Sequence, residues 1–223
     1  MKRIIICFIL AFITIYDVTA QNDVTKFLGI PIDGYKAEMI QKLKDKGFRS
    51  SKYDKDILTG EFNGHNVDVH VVTNNNKVYR IMLCDVNTVD ERSIRIRFNN
   101  LCSQFENNPR YIPSLLSPKD QRIPEDDDIS YEMTVNKKRY EACFTQTGGI
   151  DALKESFSGM LKEQYTDEEW NNPSEELQEK LNDLALFLCS KKSVWFMIAE
   201  HRGRYYITMY YDNDNNRSNG EDL

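Results

Sequence analysis

Apolar residues change their spacing repeatedly along the chain, and each change of period marks an expected element. In "IDGYKAEMIQKLKDKGF" (32–48), Ala37, Ile40 and Leu43 stand at helical spacing with Met39 alongside. This predicts an amphipathic helix, ended by Gly47 as a left-handed cap ahead of Phe48. The period then falls to two in "ILTGEF" (57–62) and "HNVDVHVVT" (65–73). The dipeptide Asn63-Gly64 between them takes the positive φ angles of a tight turn at little cost, so the pair reads as a hairpin. "NNN" (74–76) makes a second turn into "KVYRIMLCD" (77–85). Thr88 and Glu91 form a capping box before "SIRIRFNNLCSQF" (93–105), whose Ile94, Phe98, Leu101, Cys102 and Phe105 fit one helical face. The alternation of Ile94, Ile96 and Phe98 also fits a strand, but Leu101 and Phe105 decide for the helix.

Four of six prolines fall in "NNPRYIPSLLSPKDQRIPEDDD" (107–128). Proline removes a backbone donor and biases the preceding residue away from helix, so this stretch is a linker or a long irregular connection. Beyond it, Ile129, Tyr131, Met133 and Val135 alternate with Ser130, Glu132 and Thr134, which predicts a strand with one wet face. "RYEACFTQ" (139–146) predicts another, stopped by Gly148-Gly149. Helices are expected over "DALKESFSGMLKEQY" (151–165), at a second capping box of Thr166 and Glu169, and after Asn172-Pro173 along Leu177, Leu181, Leu184 and Leu188. "SVWFMIAE" and "RYYITMYYD", turning at "HRG", make a last hairpin. The expected fold is α+β, with two sub-domains over 21–106 and 129–211, each an antiparallel sheet with helices packed on one face. The linker 107–128 joins them, and a polar tail covers 212–223.

The first twenty residues stand apart from this pattern. Lys2 and Arg3 precede an apolar run from Ile4 to Tyr16, and Val18 and Ala20 occupy the small-residue positions of a cleavage site. That order is a secretory signal peptide, whereas a membrane anchor would need about 20 apolar residues. The mature chain is therefore expected near Gln21, exported to the periplasm or secreted, with no membrane span. Cys7 lacks the small residues that precede a lipidated cysteine. Removing Lys2, Arg3 and Asp17 takes the formal net charge from −6 to −7, which disfavours a nucleic-acid partner. Cys84, Cys102, Cys143 and Cys189 then remain, and three disulfide pairings stay open.

Candidate chemistry is sparse. Of three histidines, His65 and His70 fall on opposite faces of one strand, which argues against shared metal ligation. Asp68 and His70 do share a face, and a carboxylate beside an imidazole is how a general base is oriented. No serine or cysteine stands in a recognisable nucleophile context, so the pair is only a starting point for a hydrolase with dispersed residues. The run Glu125–Asp128 reads as a solvated connection and Gly148-Gly149 as a helix entry, since neither supplies the further residues of a metal or phosphate loop. Asp212, Asp214 and Asn216 mimic the first ligands of a calcium loop, but Arg217 stands where its glycine belongs and Leu223 where its glutamate belongs. No cofactor or metal is expected. The last hairpin is more informative. Val194, Phe196 and Ile198 alternate with Trp195, Met197 and Ala199, and Tyr205, Ile207 and Met209 with Tyr206, Thr208 and Tyr210. One set must pack on helices. The other leaves Trp195, Met197, Tyr206 and Tyr210 as a candidate binding face.

"FLGIPIDGYKAEMIQKLKDKGF", "LTGEFNGHNVDVHV" and "GRYYITMYYDNDNNRSNGEDL" resemble segments of uncharacterised exported proteins of Bacteroidetes, which pair a G-I-P-I-D-G helix entry with a Y-D-N-x-x-N-x-x-x-G-E-D-L ending. The resemblance implies a bacterial periplasmic or surface setting and no activity. More distantly, the order of helices and strands is similar to the tandem α+β layout of beta-lactamase-inhibitor proteins and small outer-membrane assembly lipoproteins. The sequence reading is thus a non-enzymatic binding module that meets a protein or envelope partner through a sheet face. Its rival is the secreted hydrolase around Asp68 and His70.

Overall fold

The computed structural model describes residues 24–114, 117–118, 120–147 and 191–218, with 166, 169, 172, 174–180 and 183. The leader expected at 1–20, the helix expected at 151–165 and residues 219–223 lie outside the described residues, as do Gly148-Gly149, Leu181, Leu184, Leu188 and Cys189.

A small hairpin of β1 (Lys26–Phe27) and β2 (Ile30–Pro31) leads into α1 (Lys36–Asp45). Helix α1 buries Met39 and Leu43, with Ile40 packed beside them and Ala37 left exposed. Gly47 ends it at φ +101, and the Phe48 amide donates to the Leu43 carbonyl at 3.2 Å, the cap expected from the sequence. Short β3 (Arg49–Ser50) then pairs with β4 (Ile57–Phe62). Asn63 and Gly64, both at positive φ, turn β4 into β5 (His65–Asn74); Asn75 and Asn76 turn β5 into β6 (Lys77–Asp85). Gly60 lets the Phe48 ring lie against β4, where an added Cβ would meet that ring at 2.5 Å.

Helix α2 (Glu91–Glu106) buries Ile94, Phe98, Leu101, Cys102 and Phe105, the face that the sequence predicts. Its N-cap is Asp90, whose carboxylate accepts from the Ser93 amide at 2.8 Å, and not Thr88, which instead meets the Arg204 side chain. A bidentate pair of Arg97 with Asp85, at 2.6 and 2.7 Å, fixes the helix to β6. The proline-rich stretch supplies β7 (Tyr111–Pro113) and a core side chain, Ile123, whose backbone makes two hydrogen bonds to the Asn99 amide.

Residues 129–134 form α3 (Ile129–Thr134) and not the expected strand. The Asp128 carboxylate caps the Tyr131 amide at 2.8 Å and Glu91 accepts from the Ile129 amide at 2.9 Å, so two of the free first-turn donors are satisfied as in a helix. The alternation misleads because only Ile129 is buried, while Tyr131 and Val135 are exposed. Strands β8 (Glu141–Gln146), β9 (Ser193–His201) and β10 (Arg204–Asp212) complete the sheet. Between β8 and β9, Thr166 and Glu169 make the expected box, and residues 175–180 are helical, capped by Ser174 and burying Leu177.

All pairings of the main sheet are antiparallel, in the order β3-β4-β5-β6-β10-β9-β8-β7. The fold is therefore α+β, but its strands do not separate into two sub-domains. β6 pairs with β10 from Cys84↔Thr208 to Arg80↔Asp212, and α2, from the first half, packs on β9 and β10 of the second and on β7 of the proline-rich stretch. One hydrophobic cluster contains Leu43, Phe98 and Phe196 together. No helix among the described residues is long and apolar enough to cross a membrane.

Candidate functional site

Helices α1 and α2 cover the sheet face that carries Val69, Ile81, Ile207 and Phe196. The opposite face is ordered in rows, because antiparallel partners place their side chains side by side. One row runs Ile57, His70, Met82, Tyr210, Trp195, Cys143; the next runs Thr59, Asp68, Cys84, Thr208, Met197, Glu141. Tyr206 lies in a further row, opposite Ala199. The four aromatic and methionine residues singled out in the sequence thus share this face, each half-buried.

Trp195 and Tyr210 stack with ring centroids 3.9 Å apart and planes 16° from parallel. Two residues hold them: Arg80, which the sequence reading did not single out, and Asp212, which it placed in a polar tail. Arg80, cross-strand partner of Asp212, donates to both carboxylate oxygens at 2.6 and 2.7 Å, and the Trp195 indole N–H donates to Asp212 Oδ2 at 3.0 Å. The guanidinium lies 4.9 Å from the Tyr210 ring centroid and 5.5 Å from that of Trp195, within cation–π range. The hydrogen bond to Asp212 is the largest influence raising the Arg80 pKa. Carrying the period-two count of β10 past Tyr210 would have placed Asp212 on this face, but nothing local to either residue announces that Arg80 meets it.

Asp68 and His70 also point to the wet face, in adjacent rows. The row neighbours of His70 are Ile57 and Met82, which offer neither a nucleophile nor an oxyanion donor. The thiol nearest Asp68 in the register, Cys84, is pushed up to about 11, by burial first and then by Asp68 and Asp85. Burial likewise raises Cys102, to about 12, and Cys143. Protonated thiols are weak nucleophiles at neutral pH. All three are free of disulfides. Thr208 Oγ1, between Cys84 and Met197, is buried without a hydrogen-bond partner.

The segment after β10 is a tie, where a polar run-out is expected from the sequence. Asn213 is buried; its amide N–H donates to the Tyr79 carbonyl and its side chain to the Ile32 carbonyl, both at 2.7 Å. The Asn216 side chain donates to Asp33 Oδ1 and the Val78 carbonyl at 2.8 Å. Asp212 is committed to Arg80 and Trp195, so the alternate acids do not converge on an ion. Among the described residues no group of three or more His, Cys, Asp or Glu side chains is placed to hold a metal.

No family model, curated protein or solved structure matches the chain.

Proposed function

We propose that the chain is an exported, non-enzymatic binding module that recognises a protein partner of the cell envelope through the wet face of its sheet, centred on Trp195 and Tyr210. The observation that carries this reading is the clamp on that pair. Asp212 holds the indole by a hydrogen bond and Arg80 by two, so the aromatic surface is ordered before any partner arrives. Pre-ordering lowers the entropic cost of association. Tryptophan, tyrosine, methionine and arginine are also the residue types that concentrate binding energy at protein interfaces. Pairing of Arg80 with Asp212 leaves the platform without an unbalanced charge, which suits an apolar protein surface better than a polyanion. The leader-like residues 1–20 and the resemblance to exported Bacteroidetes proteins support the envelope setting. The raised thiols and the apolar neighbours of His70 favour binding over the hydrolase reading.

The test is cross-linking in native cells, identification of the captured protein, and titration of the purified pair. Trp195→Ala and Tyr206→Ala should each weaken binding about tenfold or more, with an unchanged circular dichroism spectrum. Undiminished affinity in both variants sinks the proposal.

A further inference from the structure

Beneath the helices, on the side of the sheet away from Trp195, is a cavity of about 780 Å³, within the ordinary range for small-molecule sites. Its floor is apolar, built from Leu101 and Phe105 of α2 and Met209 and Tyr211 of β10. Two polar ties hold its walls. Gln146 Oε1 accepts from the Lys26 amide at 2.6 Å while Gln146 Nε2 donates to the Lys26 carbonyl at 2.9 Å, which fastens the β1–β2 hairpin to β8. Across the cavity, the Asn63 side chain donates to Gln104 Oε1 at 2.8 Å and fastens the β4–β5 turn to α2.

Gln146 Nε2 also donates to the Tyr111 hydroxyl at 3.0 Å, and that hydroxyl stands close enough to buried Tyr211 to raise its pKa further, after burial. The Tyr111 oxygen accepts from Gln146, so its own O–H is left to give to another acceptor. The Arg110 guanidinium and the Lys26 ammonium line the same cavity and make no ion pair among the described residues. Arg110 stands close enough for its charge to act on Tyr211. These two cations stand against one acid of the lining, Glu61. A cavity with an apolar floor, an unspent hydroxyl donor and an excess of positive charge is complementary to a molecule with an apolar body and one anionic head.

From this arrangement we infer that the cavity is a binding site for an amphipathic carboxylate, with the apolar body on Leu101, Phe105 and Met209 and the carboxylate received by Arg110 and the Tyr111–Tyr211 pair. A carboxylate accepts charge-assisted hydrogen bonds from a guanidinium fork and from a hydroxyl together. The site is on the opposite face from the platform proposed for partner binding, and the two stand or fall separately.

Isothermal titration of the whole mature chain with three probes of the same tail, each below its micellar concentration, tests it: dodecanoate, 1-dodecanol and dodecyltrimethylammonium. Dodecanoate should bind as one molecule per chain, about tenfold or more tighter than the alcohol, with the ammonium weakest. Arg110→Gln should remove most of the preference for dodecanoate over the alcohol while leaving alcohol binding in place. Arg110 is exposed, so this variant should fold. Tyr111→Phe provides a second reading of the head-group contact, and Trp195→Ala, on the other face, should leave all three affinities unchanged. Equal affinity for the three probes, absence of dodecanoate binding, or an Arg110→Gln variant that keeps its preference for the anion would each overturn the inference.

Discussion

Strand β9 carries Val194, Phe196 and Ile198 on one side and Trp195, Met197 and Ala199 on the other, and the two sets are held by different forces. On the helix-covered side Phe196 is fully buried. Its ring meets Phe98 edge-on at 5.0 Å and lies near parallel to Phe105 and Phe144. Position there follows from shape, since a close-packed core leaves a side chain one place to go. On the wet side Trp195 is only half-buried, and its position is set by a carboxylate on its indole nitrogen and a tyrosine ring against its face. Two aromatic residues one position apart in the sequence are therefore ordered, one by packing and one by polar clamping. The clamped side chains are the ones that the proposed partner would meet.

Substitutions can break or sharpen this contrast. Phe98→Ala, on the packed side, should cost about 3–5 kcal/mol in urea unfolding, because α2 cannot collapse fully onto the space left. If it costs no more than a wet-face substitution, the contrast is wrong. Asp212→Asn should cost about 2 kcal/mol, since it leaves the half-buried Arg80 without its counter-charge. It should also change the surroundings of the indole, whose acceptor becomes a neutral amide oxygen, seen as a change in Trp195 fluorescence that Phe98→Ala does not produce. Trp195→Ala should cost only about 1 kcal/mol, the scale of one aromatic stack, while removing partner capture. A loss approaching that of Phe98→Ala would mean that the wet face is core.

The smallest effect concerns His65, at the rim of the helix-covered side. Burial first and then Arg97 lower its pKa below the ordinary 6.5, with Asp85 opposing. Its folded form binds protons less readily than its unfolded form. The stabilisation it brings is therefore present above about pH 6.5 and is lost as pH falls through the lower folded value. His65→Gln should flatten the acid side of the stability profile, measured as the urea midpoint against pH. An unchanged acid limb would remove His65 from the account.

Much of the fold was legible where the signal is local. Asn63-Gly64 and the asparagines at 74–76 fix two tight turns through their positive φ angles, and the helical face of α2 is complete in its own sixteen residues. The alternation in β9 and β10 put Trp195, Met197, Tyr206 and Tyr210 on one face of the sheet, because a strand has only two faces. What stayed hidden is non-local. Pairing of β6 with β10 joins Arg80 to Asp212 across 132 residues, and no local pattern encodes it. The same pairing turned two expected sheets into one. At Ile129–Thr134 a local pattern was present and misread, because period two over seven residues also arises in a short helix with mostly exposed side chains. The cavity was invisible for a similar reason: Lys26, Arg110, Gln146 and Tyr211 have no common spacing and meet only through the tertiary fold.

Placing β10 in the middle of the sheet also governs the order in which the chain can fold during synthesis. Strands β3 to β6 and helix α2 are complete when residue 106 has been made, but the free edge of β6 and the apolar face of α2 then wait for residues 193–212. Ribosomes add roughly 5–20 residues per second, so that edge stays open for several seconds in each new chain. An unpaired strand edge is a template for the wrong partner. A chain held unfolded until it has crossed a membrane escapes that interval altogether, and the sheet then closes from both halves at once.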